Sequence, residues 1–320
     1  MNITIIGAGS FGTALAQVLS KTNFVNLILR NKEIADSINT KNLNCKYFPN
    51  IKLNSNIKAY FDYFDVRDSN IIIFAIPSKS ILEQFVKIKK FIKKETIIIN
   101  TAKGFAKKDK TILSLLKKKH KNCFSILGPT FASNLMKGEF SSFTVASDEI
   151  KHYDITKKIF TNTKIILDYS VNYKLIELSS ILKNIFAIAN GLFSSLDDGV
   201  NTKYAFLTQS YKEMNYILKE IFNEIGDDYY KNGVFGDLLL TSLNDQSRNK
   251  TLGQLIGRGF YKINDKSSVT LEGARSTKKV YKIIKKKNIK CPIITFVYKV
   301  LNGKNVYEEY NICMNNIVNN

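Results

Sequence analysis

Residues 2–19 constrain the fold of this chain more than any other stretch. A short apolar run, Asn2 to Ile6, leads directly into Gly7-Ala8-Gly9-Ser10-Phe11-Gly12, and a helical pattern, TALAQVLS, follows at once. A GxGxxG pattern carries meaning only where it follows a strand and opens a helix, and both conditions hold here. In that setting Gly7 permits the tight turn and Gly9 lets backbone approach a pyrophosphate. Gly12 lets helix and strand pack closely, and the phosphates sit at the positive helix N-terminus. The plain alternative is a glycine turn that holds no ligand.

The alternation continues along the first half. Residues 25–29, 70–76, 96–100, 123–127 and 164–167 read as strands, and 78–94 as an amphipathic helix with Ile81, Leu82, Phe85, Ile88 and Ile92 on one side. Strands alternating with helices predict an α/β, Rossmann-like doubly wound parallel sheet. Ligands of such sheets bind beyond the carboxyl ends of the strands. At two of those ends stand Thr101-Ala102-Lys103-Gly104 and Gly128-Pro129-Thr130-Phe131-Ala132, so Lys103 is either a functional lysine or an ordinary loop lysine. After the second strand an NAD-selective site usually carries an acid for the ribose 2′-OH. This chain has Arg30-Asn31-Lys32 there, with Glu33 close by. The cations favour NADP, whose 2′-phosphate is anionic.

Beyond 168 the strand signal stops, and the pattern is helical through 202–225, 250–257, 275–287 and 292–302. The expectation is therefore a dinucleotide-binding Rossmann domain over 1–168 and an all-α substrate and catalytic domain over 169–320. At the heart of the second lies 175–196, LIELSSILKNIFAIANGLFSSL, apolar nearly all the way round and so a buried helix. One narrow face is small or polar: Ser179, Ser180, Lys183, Ala187 and Asn190, with Asn184 beside it. Glu177, Lys183, Asn184 and Asn190 interrupt it too often for a membrane span. Lys183 either snorkels to the surface along its stem or points into a reactive cleft as a lysine of tunable basicity. Asp237, in GDLLLT, either pairs with such a lysine or caps a helix. In DQSRNKTLG, Asp245 or Ser247 can cap the following helix, and Arg248 with Asn249 near its first turn makes a ready anion site.

Composition narrows the function classes. The net charge of +21 suggests nucleic acid, but 43 of the 48 basic residues are Lys and only 5 are Arg, whereas specific nucleic-acid surfaces lean on Arg forks. The charge reads instead as drift toward Lys, Ile and Asn, with a field that speeds the encounter with small anions. Four scattered cysteines without CxxC, and no secretory signal pattern, predict a reduced cytoplasmic chain. The two histidines, His120 and His152, show no ligand spacing, so neither a histidine metal site nor a Ser-His-Asp triad is expected.

Seven segments, in order, carry a resemblance: GAGSFGTALA (7–16), TAKGF (101–105), GPTFA (128–132), LKNIFAIANGL (182–192), GDLLLT (236–241), SRNKTLG (247–253) and LEGARST (271–277). Together they resemble the bacterial-type NAD(P)-dependent glycerol-3-phosphate dehydrogenases, over nearly the whole chain. The resemblance implies reversible hydride transfer between NAD(P)H and dihydroxyacetone phosphate, supplying sn-glycerol 3-phosphate for phospholipids. It implies a cytoplasmic homodimer with no metal, no nucleic-acid partner and no stable membrane insertion. It implies that Lys183 transfers the proton, with Asn184, Lys103, Asp237 and Thr241 assisting. Substrate contacts would be Lys103, Gly128, Thr130, Lys183, Asp237, Ser247, Arg248 and Asn249. Cofactor contacts would be Gly7, Gly9, Ser10, Phe11, Gly12, Arg30, Lys103, Ala132, Arg248 and Glu272. This chain departs from the family pattern at Phe11 (usually Trp), Thr130 (usually Ser), TQSY (208–211, usually TRGL) and KNGVFGDL (231–238, usually GLAGLGDL). The alternatives are another two-domain dehydrogenase of a hydroxy acid, a non-catalytic nucleotide-binding protein, or a basic RNA-binding protein. Intact Lys103, Lys183 and Asp237 argue against the second, and the scarcity of Arg against the third.

Overall fold

The computed structural model describes every residue except 62, 107–109, 225, 262–271 and 320, and leaves the side chains of 64 and 65 undescribed. Leu271 of the last family-like segment is thus outside the described residues. The chain divides into two compact units, Met1–Glu177 and Leu178–Asn320. The division falls within the helix Tyr173–Leu196.

The first unit runs β1 (Asn2–Ile6), α1 (Ser10–Leu19), β2 (Phe24–Ile28), α2 (Lys32–Lys41), β3 (Ile57–Tyr60), β4 (Ile71–Phe74) and α3 (Ser78–Ile88). It continues through β5 (Ile97–Asn100), α4 (Ile112–Leu116), β6 (Cys123–Leu127), α5 (Ala132–Met136), β7 (Ser141–Ala146), α6 (Lys151–Ile159) and β8 (Ile165–Ser170). The strands form one eight-stranded sheet in the order β3-β2-β1-β4-β5-β6-β7-β8. Strand alternation explains why both faces are covered. Ile3 and Ile5 of β1, with Ile71 and Ile73 of β4, join the core cluster that includes Ala14 and Leu15 of α1 and Ile34 and Ile38 of α2. Ile6, Ile72 and Phe74 join the cluster of Ile81 and Phe85 of α3 with Leu113 and Leu116 of α4. The doubly wound α/β expectation holds, with one correction: the sheet is not wholly parallel, because β7 pairs antiparallel with β6 and parallel with β8. An antiparallel neighbour needs no crossover helix packed across the sheet, and only the five-residue α5 lies between β6 and β7.

The second unit is helical. Its elements are α7 (Tyr173–Leu196, which begins before the division), α8 (Val200–Glu220), α9 (Asp237–Leu243), α10 (Arg248–Gly257), α11 (Glu272–Lys286), α12 (Pro292–Leu301) and α13 (Val306–Val318). By length and composition α7 is apolar enough to cross a membrane, yet all of its apolar window is buried within the protein. Glu213 of α8 shows how the helices are tied: its carboxylate accepts from Ile293 N and Ile294 N, both at 2.9 Å, in the first turn of α12. Burial pushes its carboxyl up to about 7, against those two hydrogen bonds.

Candidate active site

In the first unit the glycine turn has the geometry its sequence requires. Gly7 adopts φ +115°, and a Cβ there would fall 2.5 Å from Ala75 O. A Cβ on Gly12 would fall 1.9 Å from Gly7 O, so strand, turn and helix are in backbone contact. A Cβ on Gly9 would meet nothing of the protein within 4 Å, although Gly9 is the N-cap of α1 and offers no side-chain cap. A helix N-terminus with clear space over its capping glycine fits a pyrophosphate, so these residues suit a dinucleotide. Ser10 is exposed and Phe11 half-buried, both in the first turn of α1.

Arg30 is exposed just past the end of β2, followed by Asn31, whose side chain accepts from Ile34 N to cap α2. At the end of β5, Lys103 Nζ donates to Gly128 O at 3.0 Å. A Cβ on Gly128 would fall 2.5 Å from Ser142 O, and Thr130 Oγ1 donates to the same carbonyl at 3.3 Å. The structure therefore brings Lys103 to Gly128, and Gly128 with Thr130 to Ser142 of β7, with Ala132 opening α5.

In the second unit Lys183 is 5% exposed, which removes the snorkelling alternative. Its Nζ lies 2.6 Å from Asp237 Oδ1 and 2.6 Å from Thr241 Oγ1. Thr241 Oγ1 itself donates to Asp237 O, so it meets the ammonium as an acceptor. Asp237 is not a cap. A π-helical turn, Asn232–Gly236, runs into α9 without a break, and the carboxylate reaches Lys183 instead. The altered segment KNGVFGDL thus still delivers Asp237 to the lysine.

Asn184 is held twice: its Nδ2 donates to Ser180 O at 3.2 Å, and its Oδ1 accepts from Asn249 Nδ2 at 3.0 Å. Backbone contact between α7 and α10 sets this meeting. A Cβ on Gly191 would fall 2.1 Å from Lys250 O, and one on Gly253 2.1 Å from Ile188 O. On α11, a Cβ on Gly273 would fall 2.6 Å from Asn249 Oδ1 and 2.9 Å from Asn184 O, which puts the half-buried Glu272 next to this cluster along the chain. Ser247 is buried, and its hydroxyl accepts from Lys250 N as the N-cap of α10. Arg248 opens the helix and is exposed.

Of the histidines, His152 is fully buried between Ser147 Oγ (2.6 Å) and Asn122 Oδ1 (2.9 Å), and burial pulls its pKa down to about 4. Among the described residues no three His, Cys, Asp or Glu side chains gather as a metal cluster. Sequence reasoning missed Glu177 and Asn100, both buried and hydrogen-bonded to each other at 2.9 Å. The one signal available for Glu177 was an acid in an apolar helix.

A Rossmann-like sheet whose glycine turn suits a dinucleotide, followed by a helical unit holding a buried Lys–Asp pair, fits the class of dinucleotide-dependent dehydrogenases. Residues 2–153 match the family model for the NAD-dependent glycerol-3-phosphate dehydrogenase N-terminus, and residues 173–310 match that for its C-terminus. The chain belongs to the NAD-dependent glycerol-3-phosphate dehydrogenase family. It is 34% identical over 307 residues to glycerol-3-phosphate dehydrogenase [NAD(P)+] of Methanothermobacter thermautotrophicus, covering 94% of this chain and 93% of that protein. It is 34% identical over 319 residues to the protein of the same name from Clostridium acetobutylicum, covering 96% of each. The crystal structure of glycerol-3-phosphate dehydrogenase from Coxiella burnetii superposes with a TM-score of 0.88 at 26% identity, over 98% of both chains.

Proposed function

We propose that this chain interconverts dihydroxyacetone phosphate and sn-glycerol 3-phosphate, with Lys183 as the proton-transfer residue. The observation that carries the assignment is the buried ammonium of Lys183, held at 2.6 Å by both Asp237 and Thr241. The two acceptors stand one turn apart on α9 and fix the position of the ammonium. Reduction of a ketone requires a hydride at carbon and a proton at oxygen. The nicotinamide, when bound, supplies the hydride. The Lys183 ammonium donates the proton and stabilises the alkoxide-like oxygen as charge develops on it, and general-acid assistance of this kind is worth ~10²–10⁴-fold. Lys103 contributes a second positive charge. Asn184 and Asn249 orient the reacting groups, with Glu272 at the cofactor.

Arg248 anchors the phosphate with a guanidinium fork beside the helix N-terminus, so that binding energy remote from the reaction fixes the reacting carbon. The cations Arg30 and Lys32 support use of NADPH at least as efficient as that of NADH, which a comparison of kcat/KM for the two cofactors checks. The reading extends to a homodimer and to a cytoplasmic location, the latter supported by four free cysteines.

The deciding experiment is Arg248→Lys assayed on two ketones. Lysine keeps the charge but loses the fork. Charge-assisted hydrogen bonds of ~1.5–3 kcal/mol correspond to a loss of roughly 10–150-fold in kcat/KM for dihydroxyacetone phosphate. Unphosphorylated dihydroxyacetone should be nearly unaffected. Equal losses on both ketones, or none on either, would remove Arg248 as the anchor.

A further inference from the structure

Glu177 is 3% exposed, on a helix of apolar residues, where an unpartnered carboxylate is costly. Its partners come from three elements of the first unit. Oε1 accepts from Asn100 Nδ2 and from Ser125 Oγ, each at 2.9 Å. Both carboxylate oxygens lie 3.2 Å from Leu113 N, in the first turn of α4. The N-cap residue of α4, Thr111, makes no side-chain cap bond, so Glu177 serves that helix end. Asn100 and Ser125 are directly paired residues of β5 and β6, which is why one carboxylate reaches both.

Asn100 passes this anchoring on. Its Oδ1 accepts from Ala102 N at 3.1 Å, while Thr101 Oγ1 donates to Phe74 O at 2.8 Å. The backbone is therefore fixed from both sides immediately before Lys103, whose Nζ meets Gly128 O. Burial pushes the Glu177 carboxyl up to about 7, against the opposing polar groups of Thr111, Ser125, Leu113 and Asn100.

We propose that Glu177 is a positioning residue of the reaction: through Asn100 it holds the turn that carries Lys103, and so keeps the Lys103 ammonium at the Gly128 carbonyl. The proposal rests on Lys103 acting in the reaction, as read above. A carboxylate that only braces the fold would use the same hydrogen bonds, so the test must separate the two roles.

A double-mutant cycle does so. Glu177→Gln, Lys103→Ala and the double variant are compared by kcat on dihydroxyacetone phosphate. Nicotinamide fluorescence on NADPH binding and thermal melting report cofactor site and fold. Gln keeps the shape but turns one acceptor into a donor, so Asn100 or Leu113 loses its partner. The expected result is a loss of about tenfold in the native background and of less than about twofold in the Lys103→Ala background, since contacting residues couple where independent ones add. Equal losses in both backgrounds, or none in the native one, overturn the proposal. A Lys103→Ala variant with native kcat overturns the role of Lys103 itself, and is recognised from that single variant alone. Should Glu177→Gln melt early, Asn100→Ala in the same cycle carries the test, because it leaves the bonds of Glu177 to Ser125 and Leu113 in place.

Discussion

Lys183 and Lys250 are both buried lysines of the helical unit, each with an aspartate at hydrogen-bond distance, and they differ in what surrounds the aspartate. The side chains of Lys183 and Asp237 are 6% and 1% exposed. Those of Lys250 and Asp245 are 7% and 83% exposed. Lys250 Nζ also donates to Leu243 O at 3.0 Å, the last residue of α9, where a cation suits the negative helix end. Lys250 is thus a tie between α9 and α10, with its counter-charge left in water, and that contact holds the Asp245 carboxyl below its usual range. In the Lys183 pair both partners are taken out of water. Desolvation of this kind is often better replaced by apolar packing, so the pair is poorly explained by stability. Burial of a lysine alone is a weak sign of chemistry, and burial of its counter-ion with it is what separates Lys183 from Lys250.

Three measurements would break or sharpen this contrast. The largest effect belongs to Lys183→Met, for which kcat should fall by ~10²–10⁴-fold with cofactor affinity nearly unchanged. A variant within threefold of the native rate would move proton transfer to another group. Next in size is stability. Lys183→Met alone leaves a buried carboxylate unpaired and should cost ~3–5 kcal/mol, whereas Lys183→Met with Asp237→Leu should recover all of that loss or exceed native stability by ~1–4 kcal/mol, while remaining inactive. Denaturant unfolding of both reads this out, and a double variant no more stable than the single one would mean that the pair braces the fold. The smallest effect is at the other lysine. Lys250→Met should lose ~1–3 kcal/mol through the unsatisfied Leu243 carbonyl, with a far smaller kinetic change. It should also let the Asp245 carboxyl drift back up toward 3.8, as followed by NMR titration. The sign follows from a lowered folded-state pKa: the contribution of Asp245 is present above 3.8 and fades as the pH falls through the folded value, and solvent screening keeps it small. An Asp245 titration that does not move would detach it from Lys250.

Local signals made much of this legible. The run Asn2 to Ile6 followed by glycines at 7, 9 and 12 specifies a turn geometry that few sequences satisfy, and the structure reproduces it, down to the positive φ of Gly7. Lys183 stood out because apolar periodicity made a polar residue conspicuous. Other features depend on distant partners. The orientation of β7 is invisible in SSFTVA, since alternation is the same in either direction. The predicted helix over 78–94 stops at Ile88, yet Phe91 and Ile92 pack against the same core from the following turn, so their burial imitates helical periodicity. Glu177 read as an interruption of an apolar helix. Its partners Asn100, Leu113 and Ser125 lie 77, 64 and 52 positions away, and no local pattern connects them.

The backbone crossing at Gly191 and Gly253 has a consequence for substrate size. Beyond these two, Gly257 packs against a side chain, since a Cβ there would fall 1.8 Å from Ser195 Oγ. Main chain rests on main chain at Gly191 and Gly253, so the spacing between α7, which carries Lys183, and α10, which carries Arg248, is set by peptide groups, which cannot change rotamer. It behaves as a ruler cut to one length. With Lys183 and Arg248 in the roles proposed above, a ketone with one more carbon between carbonyl and phosphate is not accommodated by easing α7 and α10 apart. Retuning this enzyme to a longer substrate therefore means moving the anchor to a different helical turn, because widening the groove would first have to separate two backbones already in contact.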